Sequence, residues 1–297
     1  MNRPKAECYI CGSKDFRTRR GKVRDNDQLD ILECDKCGLV FLSETGHIDK
    51  SFYEKSGMHL TEENLPDPDV WLKECAKDDE RRHKYLGPLL DNAKLLDFGC
   101  GAGGFLIRAK DQCAKAVGVE PEIRLSAHFK SKCLEVYKDI VQVKSRLPRD
   151  LFSIITMFHV LEHLPDPRKT LMELSNILDE DGQIIVEVPH ANDALLTFYN
   201  SESFSRFAYW SCHLFLFNVY SLVQLAKQSG LRVNYIKQVQ RYPLSNHLYW
   251  LSNAKPGGHK IWHFIDSDEL HASYEKQLAS IGCCDTLIAS FSKKERT

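Results

Sequence analysis

The chain has 297 residues, a formal charge of -1, 43% hydrophobic and 27% charged residues, the composition of a globular protein with one large domain and an appendage, or two modest domains. So even a charge balance gives no whole-molecule field that attracts nucleic acid, and no apolar run approaches the roughly 20 residues needed to span a bilayer. The N-terminus lacks the charged-then-apolar layout of a signal peptide, and eleven scattered cysteines are an odd count that suits a reducing compartment, so the expected location is cytoplasmic.

Cysteine spacing defines the first element. Cys8-Tyr9-Ile10-Cys11-Gly12 and Cys34-Asp35-Lys36-Cys37-Gly38 are two CxxC pairs separated by 22 residues. Each pair forms a knuckle and the intervening hairpin brings four thiolates to one tetrahedral Zn²⁺, so residues 1–44 read as a structural zinc ribbon with Cys8, Cys11, Cys34 and Cys37 as ligands. The glycine after each second cysteine permits the turn in which backbone N–H groups point at sulfur. Between the knuckles, Lys14 to Arg24 holds six basic residues and one aromatic. Such a run is more often a solvated loop than a phosphate-binding surface.

Residues 45–92 follow as a linking region expected to pack over a cofactor cleft. Leu39-Val40-Phe41-Leu42 before it reads as a short strand, Phe52-Tyr53 as the start of a helix, Leu65-Pro66-Asp67-Pro68-Asp69 as a turn, and Val70 to Leu90 as helical.

From about Ala93 the pattern changes. Leu95 and Leu96 deliver the chain into a glycine-dense turn, and the residues through Lys115 can continue as an amphipathic helix: a strand, a nucleotide loop and a helix. The letters fit GxGxxG through Gly99, Gly101 and Gly104, and also DxGxGxG through Asp97, Gly99, Gly101 and Gly103. Charge helps decide between them. A pyrophosphate at the helix N-terminus would face like charge from Asp97, whereas the ammonium and sulfonium of S-adenosylmethionine are cations that a carboxylate attracts. Ala116-Val117-Gly118-Val119-Glu120 reads as the next strand, ending in an acid 21 residues after Gly99 that can accept both ribose hydroxyls. The arrangement resembles class I S-adenosylmethionine-dependent methyltransferases. The resemblance implies a doubly wound α/β fold around a mostly parallel seven-stranded, Rossmann-like sheet over residues 93–297, with Asp97, Gly99, Gly101, Gly103 and Glu120 holding the methyl donor.

Further stretches agree with it. Cys133-Leu134-Glu135-Val136-Tyr137 is a third strand, and the acid and apolar residue after it, Asp139 and Ile140, match family positions that contact the adenine amino group and cover its ring. Leu151 to Phe158 is a buried parallel strand by its continuous apolarity. The tail His159-Val160-Leu161-Glu162-His163 fits the zinc-protease pattern HxxEH, but its first histidine sits where a strand is ending and not on an established helix, which rejects a protease. The phrase FHVLEHL is instead frequent in the methyltransferases, where Phe158 and the histidines line the cleft beside the transferring methyl group.

Asp166-Pro167 starts a helix through Leu178, and Gln183 to Pro189 is the fifth strand. His159, His163 and His190 therefore fall at carboxyl ends of strands, where ligands of such sheets bind. Residues 191–217 are rich in aromatics, suited to a substrate mouth. His213 matches a family histidine that faces the active site, although nucleotide-sugar C-methyltransferases carry YHEH where this chain has Trp210-Ser211-Cys212-His213. After a helix from Asn218 to Ser229 and a sixth strand from Leu231 to Gln240, residues 241–268 interrupt a hairpin. A long insertion too aromatic for disorder is expected to be functional, with Arg241, Asn246, His247, Lys255 and His259 as donors for a phosphate or sugar. It resembles a segment of bacterial surface-polysaccharide methyltransferases. Glu269 to Ile281 is a helix and Asp285 to Ser292 the last strand, expected antiparallel at the sheet edge.

The resemblance implies methyl transfer by in-line displacement at the sulfonium carbon, with a sugar or nucleotide-sugar hydroxyl as acceptor and a histidine as base: His213 first, then His159 and His163. Two other readings are an RNA methyltransferase, since some ribosomal RNA methyltransferases also carry a zinc ribbon, and a non-catalytic scaffold. Balanced charge and the lack of an Asn-Pro-Pro-Tyr-like motif oppose the first. The intact glycine loop opposes the second.

Overall fold

A computed structural model describes residues 7–48, 50–54 and 67–294; Leu65 and Pro66 of the expected turn lie outside the described residues. The main sheet has seven strands: β4 (Lys94–Phe98), β5 (Lys115–Val119), β6 (Glu135–Tyr137), β7 (Phe152–Phe158), β8 (Leu178–Pro189), β10 (Leu231–Val239) and β11 (Thr286–Lys293), in the order β10-β11-β8-β7-β4-β5-β6. Strands β6, β5, β4, β7 and β8 run parallel, while β11 is antiparallel to both β8 and β10. The chain winds outward from β4 through β5 to β6, then returns to β7 on the other flank. The crevice between the ends of β4 and β7 is thus the topological switch point, where ligands of open α/β sheets bind.

Apolar runs place the core. Leu95 and Leu96 of β4 and Phe152, Ile155 and Met157 of β7 have no exposed surface, as a central parallel strand covered on both faces requires. One expectation is corrected here: the last strand is antiparallel but does not form the edge. β11 is buried along nearly its whole length and lies between β8 and β10, while β10, with its alternating exposure, is the edge strand. Alternation tolerates solvent on one side; the continuous run TLIASFS does not.

The helix Pro68–Leu90 begins two residues earlier than expected, inside the anticipated turn. Asp67 caps it by accepting from the Asp69 N–H at 2.9 Å, and Pro68 occupies the first turn, where no N–H is needed. It packs against the short helix Gly104–Ala109 that follows the glycine loop.

The N-terminal segment forms β1 (Phe16–Thr18), β2 (Ile31–Cys34) and β3 (Val40–Leu42), and this sheet is continued by β9 (Phe215–Leu216), which pairs with β3. The small sheet therefore shares backbone hydrogen bonds with the main domain. Tyr9 Oη donates to Asp166 and accepts from the Arg168 N–H at 3.0 Å, Asn218 Nδ2 donates to the Cys37 carbonyl at 3.0 Å, and Gln228 Nε2 donates to the Ile10 carbonyl at 2.6 Å. Among the described residues no helix is long and apolar enough to cross a membrane.

Candidate active site

Gly99, Gly101 and Gly103 have φ of 78°, 53° and 80°, left-handed values that an L side chain adopts only at a cost. Space is equally restrictive. A Cβ at Gly101 would come 3.1 Å from the Trp71 ring, and one at Gly99 would collide with Val160 just beyond β7. At the switch point the three glycines leave stretches of the loop backbone uncovered, with Trp71 of the helix Pro68–Leu90 packed against Gly101. Glu120 closes the loop from β5, accepting the Gly101 N–H at 2.9 Å and the Glu122 N–H at 3.1 Å; burial raises its pKa. Asp97 lies beneath, 3% exposed, and accepts from Thr156 Oγ1 at 2.7 Å. Burial pushes its pKa up to about 7 against that hydrogen bond. Asp97, buried and disfavoured as an anion beside the glycine loop, fits a cationic ligand, which would favour its ionised form. Asp139 caps the helix Ile140–Arg146, accepting from the Gln142 N–H at 2.8 Å, with Ile140 buried behind it.

Past β7, Phe158 packs edge-on against Phe105 and lies beneath the Arg82 guanidinium. His159 follows with φ 55°, uncommon outside glycine and typical of residues fixed for function. Its ring lies between two fully buried carboxylates: Nδ1 is 3.2 Å from Glu162 Oε1 and Nε2 is 3.2 Å from Glu187 Oε1. Burial alone would raise Glu162, but the His159 hydrogen bond and the neighbouring histidines outweigh it and hold it at about 2. Glu187 also receives Arg82 Nη2 at 2.7 Å and Arg81 Nη2 at 2.9 Å, which keep its pKa well below the usual range despite burial. His163 Nδ1 donates to the Cys212 carbonyl at 2.8 Å, and burial lowers its pKa.

His213 differs from both. Its ring lies edge-on to His163 at 4.7 Å and 5.8 Å from Trp210, and no hydrogen bond to its nitrogens is found among the described residues. Burial and the neighbouring His163 lower its pKa to about 3, so the imidazole is neutral at pH 7.

Residues of the strand ends and of the insertion meet around a cavity of about 320 Å³. His159 and His213 line it together with Arg241, Asn246, His247 and His259 of the insertion, and Phe204, Phe207, Trp210, Tyr242 and Trp250 add aromatic surface. The insertion is largely helical, with Leu244–Asn253 and Gly258–Ile261. Within the wall, Arg241 is held by both oxygens of Asp78, His247 donates from Nδ1 to Tyr274 Oη at 2.7 Å and accepts from Gln240 Nε2 at 3.1 Å, and His259 Nδ1 is 3.3 Å from Asn246 Oδ1. Two predicted residues stand apart: Lys255 is exposed on the connecting loop, and His163 lies behind the wall.

Sequence reasoning missed Glu162, Glu187 and the two arginines around them. A signal was present, since Glu187 is an acid inside the apolar run Ile184-Ile185-Val186-Glu187-Val188 and has no exposed surface. Such an acid needs buried cations.

A family model described as a methyltransferase domain matches residues 71–236, more than half of the chain. The chain belongs to the S-adenosylmethionine-dependent methyltransferases. The methyltransferase is 29% identical over 103 residues to a ubiquinone biosynthesis O-methyltransferase of Glaesserella parasuis, a match that covers 31% of this chain and 44% of that protein. It is 24% identical over 175 residues to a protein of the same name from Leptothrix cholodnii, covering 55% and 74% of the two chains. Among solved structures, magnesium protoporphyrin IX methyltransferase from Synechocystis with bound S-adenosylhomocysteine is similar at 10% identity and a TM-score of 0.49, covering 82% of this chain and 98% of that one.

The cysteine cluster of the methyltransferase fits a metal. All four Sγ atoms of Cys8, Cys11, Cys34 and Cys37 lie within 4.8 Å of one another. Closest approaches of 3.4 Å, Cys8 to Cys37 and Cys11 to Cys34, are far too long for disulfides. The two knuckles repeat each other: Gly12 and Gly38 have φ of 67° and 66°, and each donates its N–H to the carbonyl of the first cysteine at 2.8 Å. Backbone N–H groups of Ile10 and Cys11 point at Cys8 sulfur, and that of Leu39 at Cys37. Four thiols converging with amide support are the donor set of a structural Zn²⁺. In the intervening hairpin Arg17 pairs with Glu33 and Asp35, Arg20 with Glu202, and Lys22 with Asp27.

Proposed function

We propose that this methyltransferase moves the methyl group of S-adenosylmethionine onto a hydroxyl of a sugar or nucleotide sugar seated in the 320 Å³ cavity. The carrying observation is that His213 and the polar residues of the insertion line one cavity together with His159, the residue before the Val160 that packs against Gly99 of the glycine cradle. The residues that would hold the donor are Asp97, Gly99, Gly101, Gly103 and Glu120, with Asp139 and Ile140 at the adenine end. Bound there, the donor supplies an already activated methyl group, so the protein's part is alignment and proton removal.

His213 is the base in this reading. His163 has Nδ1 engaged by a carbonyl, and His159 has a carboxylate against each ring nitrogen, whereas His213 lies on the cavity wall with no hydrogen bond to its nitrogens among the described residues; burial lowers its basicity, so in this reading the bound substrate has to raise it. As the acceptor oxygen forms its bond to the methyl carbon and the carbon–sulfur bond breaks, the hydroxyl proton passes to a ring nitrogen of His213. Aromatic walls suit the faces of a sugar ring, and Asn246 and His259 its hydroxyls. Oxygen as the attacking atom is in keeping with the names of the two relatives. Cys8, Cys11, Cys34 and Cys37 hold zinc as a structural ion in the same reading.

Incubation with S-adenosylmethionine and a panel of nucleotide sugars and phenols, with mass spectrometry of the products, tests this. The expected result is one added methyl group on at least one sugar. Transfer to phenolic acceptors alone would overturn the sugar assignment.

A further inference from the structure

Arg24 is the one residue of the zinc-ribbon hairpin that lines the acceptor cavity. Its guanidinium lies 4.2 Å from the centre of the Trp210 ring and 5.1 Å from that of Phe207, and its backbone N–H donates to the Tyr209 carbonyl at 3.0 Å. Stacking of this kind fixes a guanidinium plane and leaves its N–H edge free to grip an oxyanion with two parallel hydrogen bonds. The neighbouring cations are engaged: Arg17, Arg19, Arg20 and Lys22 each face a carboxylate, and Arg241, which also lines the cavity, is held by Asp78. Among the described residues no carboxylate pairs with Arg24. The hairpin itself is fixed beside the cavity, with Asp25 accepting from the Ser211 N–H at 2.9 Å and from its hydroxyl at 2.7 Å, and with Arg19 donating to the Ala191 carbonyl.

We infer that Arg24 is the anion receptor of the acceptor site: it binds an acidic oxyanion carried by the substrate, beside Trp210 in the cavity that His213 also lines. This rests on the sugar-acceptor reading and narrows it to acceptors with a phosphate or carboxylate. It also gives the ribbon a part in recognition, because the metal knuckles hold the hairpin that delivers Arg24.

Calorimetric titration of the full chain, saturated with S-adenosylhomocysteine, with uridine diphosphate and separately with glucuronate tests it. Wild type is expected to bind at least one of them, and which one names the phosphate or the carboxylate. Arg24→Ala should weaken that binding about tenfold to hundredfold, the range of a lost charge-assisted contact, with Arg24→Lys intermediate because it keeps charge without the fork. Unchanged affinity for S-adenosylhomocysteine in both variants shows that each is folded. Equal binding by wild type and Arg24→Ala, or binding of neither probe by wild type, overturns the inference. Methylation of neutral sugars at the wild-type rate by Arg24→Ala would overturn it while leaving the sugar reading intact. Arg24-dependent uridine diphosphate binding without transfer to any sugar would do the reverse.

Discussion

Asp97 is buried, and among the described residues no cation forms an ion pair with it. Its carboxyl stands at about 7, raised first by burial and further by Asp79 and Glu120, with Thr156 and Arg82 pulling the other way. A cationic methyl donor favours the ionised form, so binding below pH 7 has to expel a proton. Affinity for S-adenosylmethionine should therefore be flat above about pH 7 and fall as pH drops below it, approaching tenfold per unit. Calorimetry across pH 5.5 to 8.5, on the order of a half-unit grid, reads this directly, and Asp97→Asn should bind more weakly with the slope gone. At His213 the expected signature is kinetic. His213→Ala should lower kcat by about 10²- to 10⁴-fold, the range of general-base loss, with S-adenosylhomocysteine affinity retained. An unchanged kcat removes His213 from the proton transfer.

Among the elements, the helix Pro68–Leu90 carries the ties between cradle and cavity. Its Trp71 faces Gly101, its Arg81 and Arg82 meet Glu187 of β8, and its Asp78 holds Arg241 of the insertion. Glu187 is the junction, having no exposed surface and also contacting His159. Removing one member of a buried ionic cluster leaves the others uncompensated, so Glu187→Ala should cost about 3–5 kcal/mol in urea unfolding. A loss below about 1 kcal/mol would show that the arginines find other partners. These ties also mark where the sequence stopped being legible. Periodicity and glycine spacing locate β4, β5, β7 and β8 and their loops, because continuous burial and positive φ leave a mark on local composition. The pairing of Asp78 with Arg241 joins positions 163 residues apart, and neither residue carries a local signal of the other. The place of β11 inside the sheet did leave a local mark, the continuous run TLIASFS, but which strands flank it is a property of the whole sheet. At the site, resemblance ranked His213 ahead of His159 and His163, but what each ring nitrogen faces, and that His163 lies behind the cavity wall, is set by distant residues.

For the molecule as a whole, the ribbon and the main domain form one hydrogen-bonded structure through β3 and β9, with Tyr9, Cys37 and Ile10 docked on the helices that begin at Pro167 and Val219. If zinc organises the knuckles, stripping it should disturb the acceptor cavity more than the glycine cradle, which lies on the far side of β7. Chelation, or Cys8→Ser with Cys37→Ser, should therefore abolish methyl transfer and lower the Tm while S-adenosylhomocysteine still binds within about threefold. Metal analysis of the purified chain should find zinc in the wild type and none in the double variant.

The central claim is that the glycine loop after β4 receives a methyl donor, and calorimetry on the purified chain measures it most directly. The account predicts one equivalent of S-adenosylhomocysteine bound by wild type, no measurable heat with a nicotinamide dinucleotide, and binding lost in Gly101→Val, whose side chain would meet Trp71 in a left-handed backbone. Preference for the dinucleotide, or full affinity in Gly101→Val, would contradict it.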